Sequence, residues 1–210
     1  MASSAALAIS QQHRQRNCKN RYIAVQANVL TESDIRPRVW TELQRATQDR
    51  HHEWRTPVLA TIGTDGLPRA RTVVLRHADA KLCSLHVYTD RRSPKVAELT
   101  ANPGAVLVFW SKRLSWQLRV EASISVQSSG PEVDAVWARV SQSAAAADYL
   151  SVSAPGDALA APEAVHASSL DTHHLAIIAA QIQSIDWLEL ARSGHRRAVF
   201  SSDGWKWRVP

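Results

Sequence analysis

The sequence predicts a mainly β chain, a barrel with a few peripheral helices, and three observations predict it. About eight short apolar runs recur between turn signals. The clearest of them alternates strictly: Trp116, Leu118, Val120, Ala122, Ile124 and Val126 share one face, with Gln117, Arg119 and Glu121 on the other. Helical patterns interrupt the strands instead of alternating with them one for one, which argues against a doubly wound parallel sheet.

Taken in order, Thr31 or Ser33 can cap a helix over 34–49, with Asp34 and Pro37 in its first turn and Val39, Trp40, Leu43 and Ala46 on one side. Two strands follow, 58–63 and 67–77, joined by Thr64-Asp65-Gly66. The Asp-Gly pair is a hairpin signal in which both turn positions take positive φ. A strand at 85–89 leads to a short helix, 93–100, with Ser93 as N-cap and Pro94 at the first helical position, closed by Asn102-Pro103. Strands at 105–110 and 116–126 come next. A helix over 131–149 starts at Pro131, and an Ala/Pro/Ser-rich loop occupies 151–169. Strands at 175–185, 187–190, 196–201 and 205–209 complete the chain, with a turn at Ser202-Asp203-Gly204.

The 210 residues carry a formal net charge of +6, which suggests a polyanion as partner until the charge is located. Residues 1–30 hold Arg14, Arg16, Lys19 and Arg21 and no acid, whereas the remaining residues hold 21 bases against 19 acids. We therefore expect a flexible basic tail, 1–30, in front of one domain, 31–210, and no nucleic-acid partner. The two cysteines, Cys18 and Cys83, argue against a disulfide framework and for a reduced, cytoplasmic setting. The apolar run Ala5–Ile9 has its charges behind it, the wrong order for a secretory signal. The run Leu175–Ala180 is too short to span a membrane.

No metal site is expected. His51-His52 and His173-His174 are adjacent pairs, and neighbours on a strand point to opposite faces. Phosphate-cradling glycine loops are missing, so any phosphate must be held by side chains. Arg71, Arg76, Arg91, Arg92, Lys95, Arg113, Arg119, Arg196 and Arg197 could clamp one, aided by the start of the 93–100 helix. Taken alone, basic residues on exposed strand faces usually face water.

Several motifs carry a resemblance. Arg71-Thr-Val-Val-Leu-Arg76, Val87-Tyr-Thr-Asp90, Ser93-Pro-Lys95, Glu98-Leu99, Asn102-Pro103, Val108-Phe-Trp110 and Gln117-Leu-Arg-Val-Glu121 resemble the ordered motifs of the pyridoxamine 5'-phosphate oxidase family. The end of the chain is similar too, in Ile185-Asp-Trp-Leu, His195-Arg-Arg197, Phe200, Trp205 and Val209-Pro210. The resemblance implies a six-stranded antiparallel Greek-key split barrel, a homodimer, and FMN at the subunit interface. It also implies site residues. Arg71, Thr72, Val73, Val74, Leu75 and Arg76 would line the flavin and reach its phosphate, Tyr88 and Thr89 would border ring and phosphate, and Ser93 and Lys95 would hold the phosphate. Gln117, Trp187 and either Arg196 or Arg197 would reach the flavin from the partner. Trp187 serves equally well as core packing.

The departures concern the substrate. Pro94 stands where the family has Arg before the lysine, and Arg76 replaces a lysine, keeping charge but not shape. Trp137 falls on the family's substrate tyrosine, the following arginine and serine fall near Ser141 and Ala145, and a glutamine-serine pair lacks a counterpart near Ala154–Gly156. The terminal Arg-x-His reads Arg196-Arg197. Arg76, Trp137 and Arg196 remain as substrate candidates. The expectation is an FMN-dependent oxidoreductase of another small molecule. A non-catalytic cofactor-binding module and a true pyridoxine/pyridoxamine 5'-phosphate oxidase are the alternatives.

Overall fold

A computed structural model describes residues 30–159 and 172–210. The readings made for residues 1–29, Cys18 among them, and for the 160–169 part of the loop lie outside the described residues. Contacts divide the chain into two units, Met1–Val39 and Trp40–Pro210, at a boundary inside helix α1 (Glu32–Gln48).

In the first unit Thr31, not Ser33, begins the helix. Its backbone N–H and its hydroxyl both donate to Asp34 Oδ2, at 2.8 and 2.6 Å, and its carbonyl accepts from Asp34 and Ile35 N–H. The helix therefore starts two residues earlier than expected, and Pro37 falls in its second turn.

The second unit is built on antiparallel strands: β1 (Val58–Ile62), β2 (Pro68–Thr72), β3 (Leu75–Asp79), β4 (Ser84–Asp90), β5 (Gly104–Ser111), β6 (Trp116–Gln127), β7 (Leu175–Glu189), β8 (Arg196–Ser201) and β9 (Gly204–Arg208). Helix α2 (Pro94–Ala101) follows β4, and α3 (Pro131–Val140) follows β6. The strand order is β2-β1-β5-β6-β7-β4-β3, with β8 and β9 added beside β7. The two ends of that path, β2 and β3, are consecutive in the chain and separated by Val73 and Val74 alone. Two residues span roughly 10 Å at most, so the sheet must curl until its edges nearly meet. This closure makes a barrel.

Strand β7 splits it. Residues 175–181 pair with β4 and residues 184–189 pair with β8, while β6 runs along the other side from 177 to 189. Gln183 is the extra residue of a bulge opposite Glu121 and Ala122, where β7 passes from one neighbour to the other. The described residues thus form a nine-stranded split barrel in place of the six strands expected, within the same mainly β class. The core holds Leu59, Leu75, Leu85, Leu107, Phe109, Leu118 and Trp187, all essentially inaccessible. Burial of each such side chain contributes about 2 kcal/mol.

Four local expectations are corrected. The strand read over 67–77 is two strands, because the apolar run Val73-Val74-Leu75 is where the chain crosses between barrel edges; Val73 N–H bonds to Pro57 O instead of a ladder partner. The strands read over 175–185 and 187–190 are one, since polar Asp186 lies on a face where Arg119 and Arg197 meet it. The helix read over 131–149 ends at Val140, and Ala144–Tyr149 turns more tightly as a 3-10 segment. The first hairpin has a three-residue loop closed by Gly63 N–H to Leu67 O, with positive φ at Gly66 and not at Asp65.

Candidate functional site

Arg71 lies on β2 directly across from Leu59 of β1 and shares its inward face. One residue pair further along that face is Thr61, 3 % exposed, whose Oγ1 accepts from Arg71 Nη1 at 2.5 Å. Helix α2 packs across β1 and brings Glu98 to the same point. Its Oε2 accepts from Arg71 Nη2 at 2.6 Å and from Thr61 Oγ1 at 2.6 Å. Burial alone would raise the Glu98 carboxyl. The hydrogen bonds from Thr61 and Arg71, with the charge of Arg71, outweigh it and hold the group below the usual carboxylate range.

The start of α2 supplies a second group. Pro94 occupies the first helical position and Ser93 is the N-cap, as its sequence position suggests, yet the Ser93 hydroxyl makes no capping bond. It joins Thr89 Oγ1 at 3.2 Å, and Lys95 Nζ donates to both hydroxyls at 3.0 Å. Thr89 and Ser93 are buried, and Lys95 is half-buried. Burial, and next the charge of Arg71, push the Lys95 ammonium below the ordinary lysine range, against the pull of Asp90 and Glu98. Two cations, one carboxylate and three buried hydroxyls therefore lie around α2, with Arg71 near enough for its charge to lower Lys95. Such a donor set suits a compact dianion.

Most of the other basic candidates are held elsewhere. Arg92 is bound to Asp90 and to the carbonyls of Ser151, Val152 and Ser153. Arg113 donates to buried Glu42, which also bonds His52 Nε2 at 2.8 Å. Arg119 and Arg197 both bind Asp186, and Arg196 binds Glu189. Arg91 is exposed. A cleft of about 350 Å³ beside the 151–157 loop is lined by Asp90, Asp148 and Asp157, three carboxylates unsuited to an anion.

A third group lies on β3, β4 and α3. Arg76 is the extra residue of a bulge between Leu75 and His77, and its guanidinium sits 6.0 Å from the centre of the Tyr88 ring. Tyr88 and Trp137 pack against Val133, Val136, Tyr149, Leu175 and Ile177. Trp137 is stacked on His173 at 4.4 Å between ring centres. Desolvation raises both the Tyr88 and the Tyr149 hydroxyls.

The remaining predicted residues do not join these groups within one chain. Thr72 is exposed on the outer face, Val73 and Leu75 are buried, and Val74 is half-buried in the crossover. Gln117 is half-buried on the outer face of β6, across from Trp110 on one side and Leu188 on the other. Trp187 is fully buried and edge-on to Trp116 and Trp207, and its indole N–H has no acceptor among the described residues. Sequence reasoning passed over Thr61 and assigned no role to Glu98. The inward alternation of Leu59 and Thr61 was the available signal.

Comparison with known proteins gives this geometry a family. The model of the pyridoxamine 5'-phosphate oxidase FMN-binding domain matches residues 9–128, more than half of the chain, and the chain belongs to that family. FMN is its cofactor. A pyridoxine/pyridoxamine 5'-phosphate oxidase of Thermosynechococcus vestitus is 43% identical over 79 residues, 38% of this chain and 36% of that protein. One from Cupriavidus metallidurans is 35% identical over 115 residues, 53% of each. The matched segments thus span a third to a half of these relatives. Two solved structures share the fold. A pyridoxamine 5'-phosphate oxidase-related, FMN-binding protein of Nostoc punctiforme has a TM-score of 0.63 at 20% identity, covering 87% of this chain and 100% of that one. PhzG from Burkholderia lata, in complex with tetrahydrophenazine-1-carboxylic acid, has a TM-score of 0.63 at 17% identity, covering 86% and 96%. The cations, hydroxyls and helix start around Lys95 fit the phosphate of such a cofactor, and the buried indole N–H of Trp187 is an unused donor among the described residues.

Proposed function

We propose that this chain is an FMN-dependent oxidoreductase of a small molecule other than pyridoxine 5'-phosphate, working as a cytoplasmic homodimer with FMN at the subunit interface. The observation that carries the proposal is Lys95 held on the buried Thr89 and Ser93 hydroxyls at the start of α2, with Arg71 near enough for its charge to lower the Lys95 ammonium. In this reading those four residues hold the FMN phosphate. Val73, Val74 and Tyr88 border the ring system, and Gln117, Trp187 and Arg197 approach from the partner. Bound FMN supplies a two-electron acceptor for hydride. The chain's own residues bind it, orient it and keep water from its inner edge.

The homodimer reading is supported by the outer face of β1 and β5. Ile62 and Trp110 are 39 % and 46 % exposed there, next to half-buried Val58, Val106 and Val108. A second copy meeting this stripe would cover it and bring Gln117 to the junction. A substrate other than pyridoxine 5'-phosphate is supported by Trp137, which carries no hydroxyl and is stacked against His173, and by Arg196 and Arg197, which are engaged by Glu189 and Asp186. We also propose that residues 1–30 are a tail outside the 31–210 domain, although the family match begins at residue 9.

The test is the purified protein, its absorbance and its reduction. A yellow preparation that releases FMN on denaturation, and that a nicotinamide nucleotide or another donor reduces without air, is the expected result. A colourless protein that ignores added FMN would sink the proposal. Binding without reduction by any donor would leave a cofactor-binding module, and turnover of pyridoxine 5'-phosphate would restore the family's named activity.

A further inference from the structure

Two buried side chains, Thr61 and Glu98, hold the Arg71 guanidinium where its charge is felt at Lys95. We infer that Glu98, assisted by Thr61, is a positioning residue that aims Arg71 at the FMN phosphate; the inference rests on the phosphate reading above. Glu98 is 6 % exposed and Thr61 3 %, so neither can meet a ligand in solvent directly. Their three mutual contacts form a closed triangle: Thr61 donates to Glu98, and Arg71 donates to each through a different terminal nitrogen. A fork held at both tips is fixed in its plane, whereas a single contact would let it swing. One hydrogen on each terminal nitrogen and the Nε–H are left over for an anion. The carboxyl is charged at neutral pH, since the hydrogen bonds and Arg71 hold it below its usual range against the effect of burial.

Glu98 is also, among the described residues, the one carboxylate bonded to Arg71, and that makes the sign of its effect informative. Acting by charge alone, it would repel a phosphate, and its removal would tighten binding. Acting by aiming Arg71, its removal loosens binding although the site becomes more positive.

The experiment compares FMN with riboflavin, which lacks the phosphate, on the full chain. Glu98→Gln is expected to lower FMN affinity about tenfold and leave riboflavin affinity unchanged. Thr61→Val, which keeps the side-chain shape, is expected to lower the FMN-to-riboflavin preference about threefold. In the double variant Arg71→Ala with Glu98→Gln, the loss should equal that of Arg71→Ala alone, because Glu98 acts through Arg71. Tighter or unchanged FMN binding in Glu98→Gln, equal loss of both flavins, or additive losses would overturn the positioning role. If Glu98→Gln does not fold, Thr61→Val decides by the same ratio. Wild-type FMN binding in Arg71→Ala would instead overturn the phosphate reading itself.

Discussion

Two groups of basic side chains, Lys95 with Arg71 at α2 and Arg119, Arg196 and Arg197 across β6, β7 and β8, use the same chemistry to opposite ends. Asp186 is 12 % exposed on its side chain and receives both Arg119 and Arg197, and Glu189 receives Arg196 and the Trp116 indole. Burial would raise Asp186, but the hydrogen bonds and charges of Arg197 and Arg119 hold it below the usual range, and the same hydrogen bond pushes Arg197 up. Each ion there is stabilised by an opposite one. Around Lys95 the balance differs: the ammonium has two hydroxyls and a neighbouring cation, and it is pushed down. The arginines on Asp186 and Glu189 are part of the sheet, whereas Lys95, bonded to hydroxyls, and Arg71, held by Glu98 and Thr61 with N–H groups to spare, are available to an anion.

The largest expected effect tests that availability. Arg71→Ala combined with Lys95→Ala should weaken FMN by at least about two orders of magnitude, from the loss of two charge-assisted contacts, with riboflavin affinity little changed; fluorescence titration measures both. Next, FMN affinity of the native chain should fall as pH rises, beginning below the ordinary lysine value of 10.5 because Lys95 gives up its proton early. The fall should be on the order of tenfold, and Lys95→Arg should flatten it. Across the sheet, Asp186→Asn should cost about 2 kcal/mol in urea unfolding at neutral pH by leaving two arginines uncompensated. Since the folded-state value lies below 3.8, that difference should persist above pH 3.8 and disappear as pH falls below it. The smallest effect is expected at the exposed pair Arg69–Asp65, where Arg69→Ala should leave the unfolding midpoint unchanged. A cost at Arg69 as large as at Asp186 would show that burial does not separate the two kinds of pair.

Much of this arrangement was legible in advance. The 116–126 alternation, the Ser93-Pro94 helix start and the Ser202–Gly204 turn are local signals, and the observed elements at these places agree to within a residue or two. The break at Val73-Val74 was not legible, because an apolar run reads alike whether it continues a strand or crosses from one barrel edge to the other. Nor was the continuity of β7 through Asp186, since a polar residue amid apolar ones looks like a gap until Arg119 and Arg197 are placed beside it. The Ser93 hydroxyl shows the same limit: its position marks the cap, but Thr89 and Lys95 compete for its oxygen and win.

By itself the sequence determined the mainly β class, the places of most strands and helices, and the residue types offered to a phosphate, because period-2 patterning, turn residues and caps act over a few neighbours. Only the tertiary structure decided which bases remain available. Arg71, Arg92, Arg119 and Arg197 are equivalent as letters, and their fates depend on carboxylates 27, 2, 67 and 11 residues away. An ion pair is a matter of ångströms through space, and it is the curled sheet, with α2 laid across β1, that sets those distances.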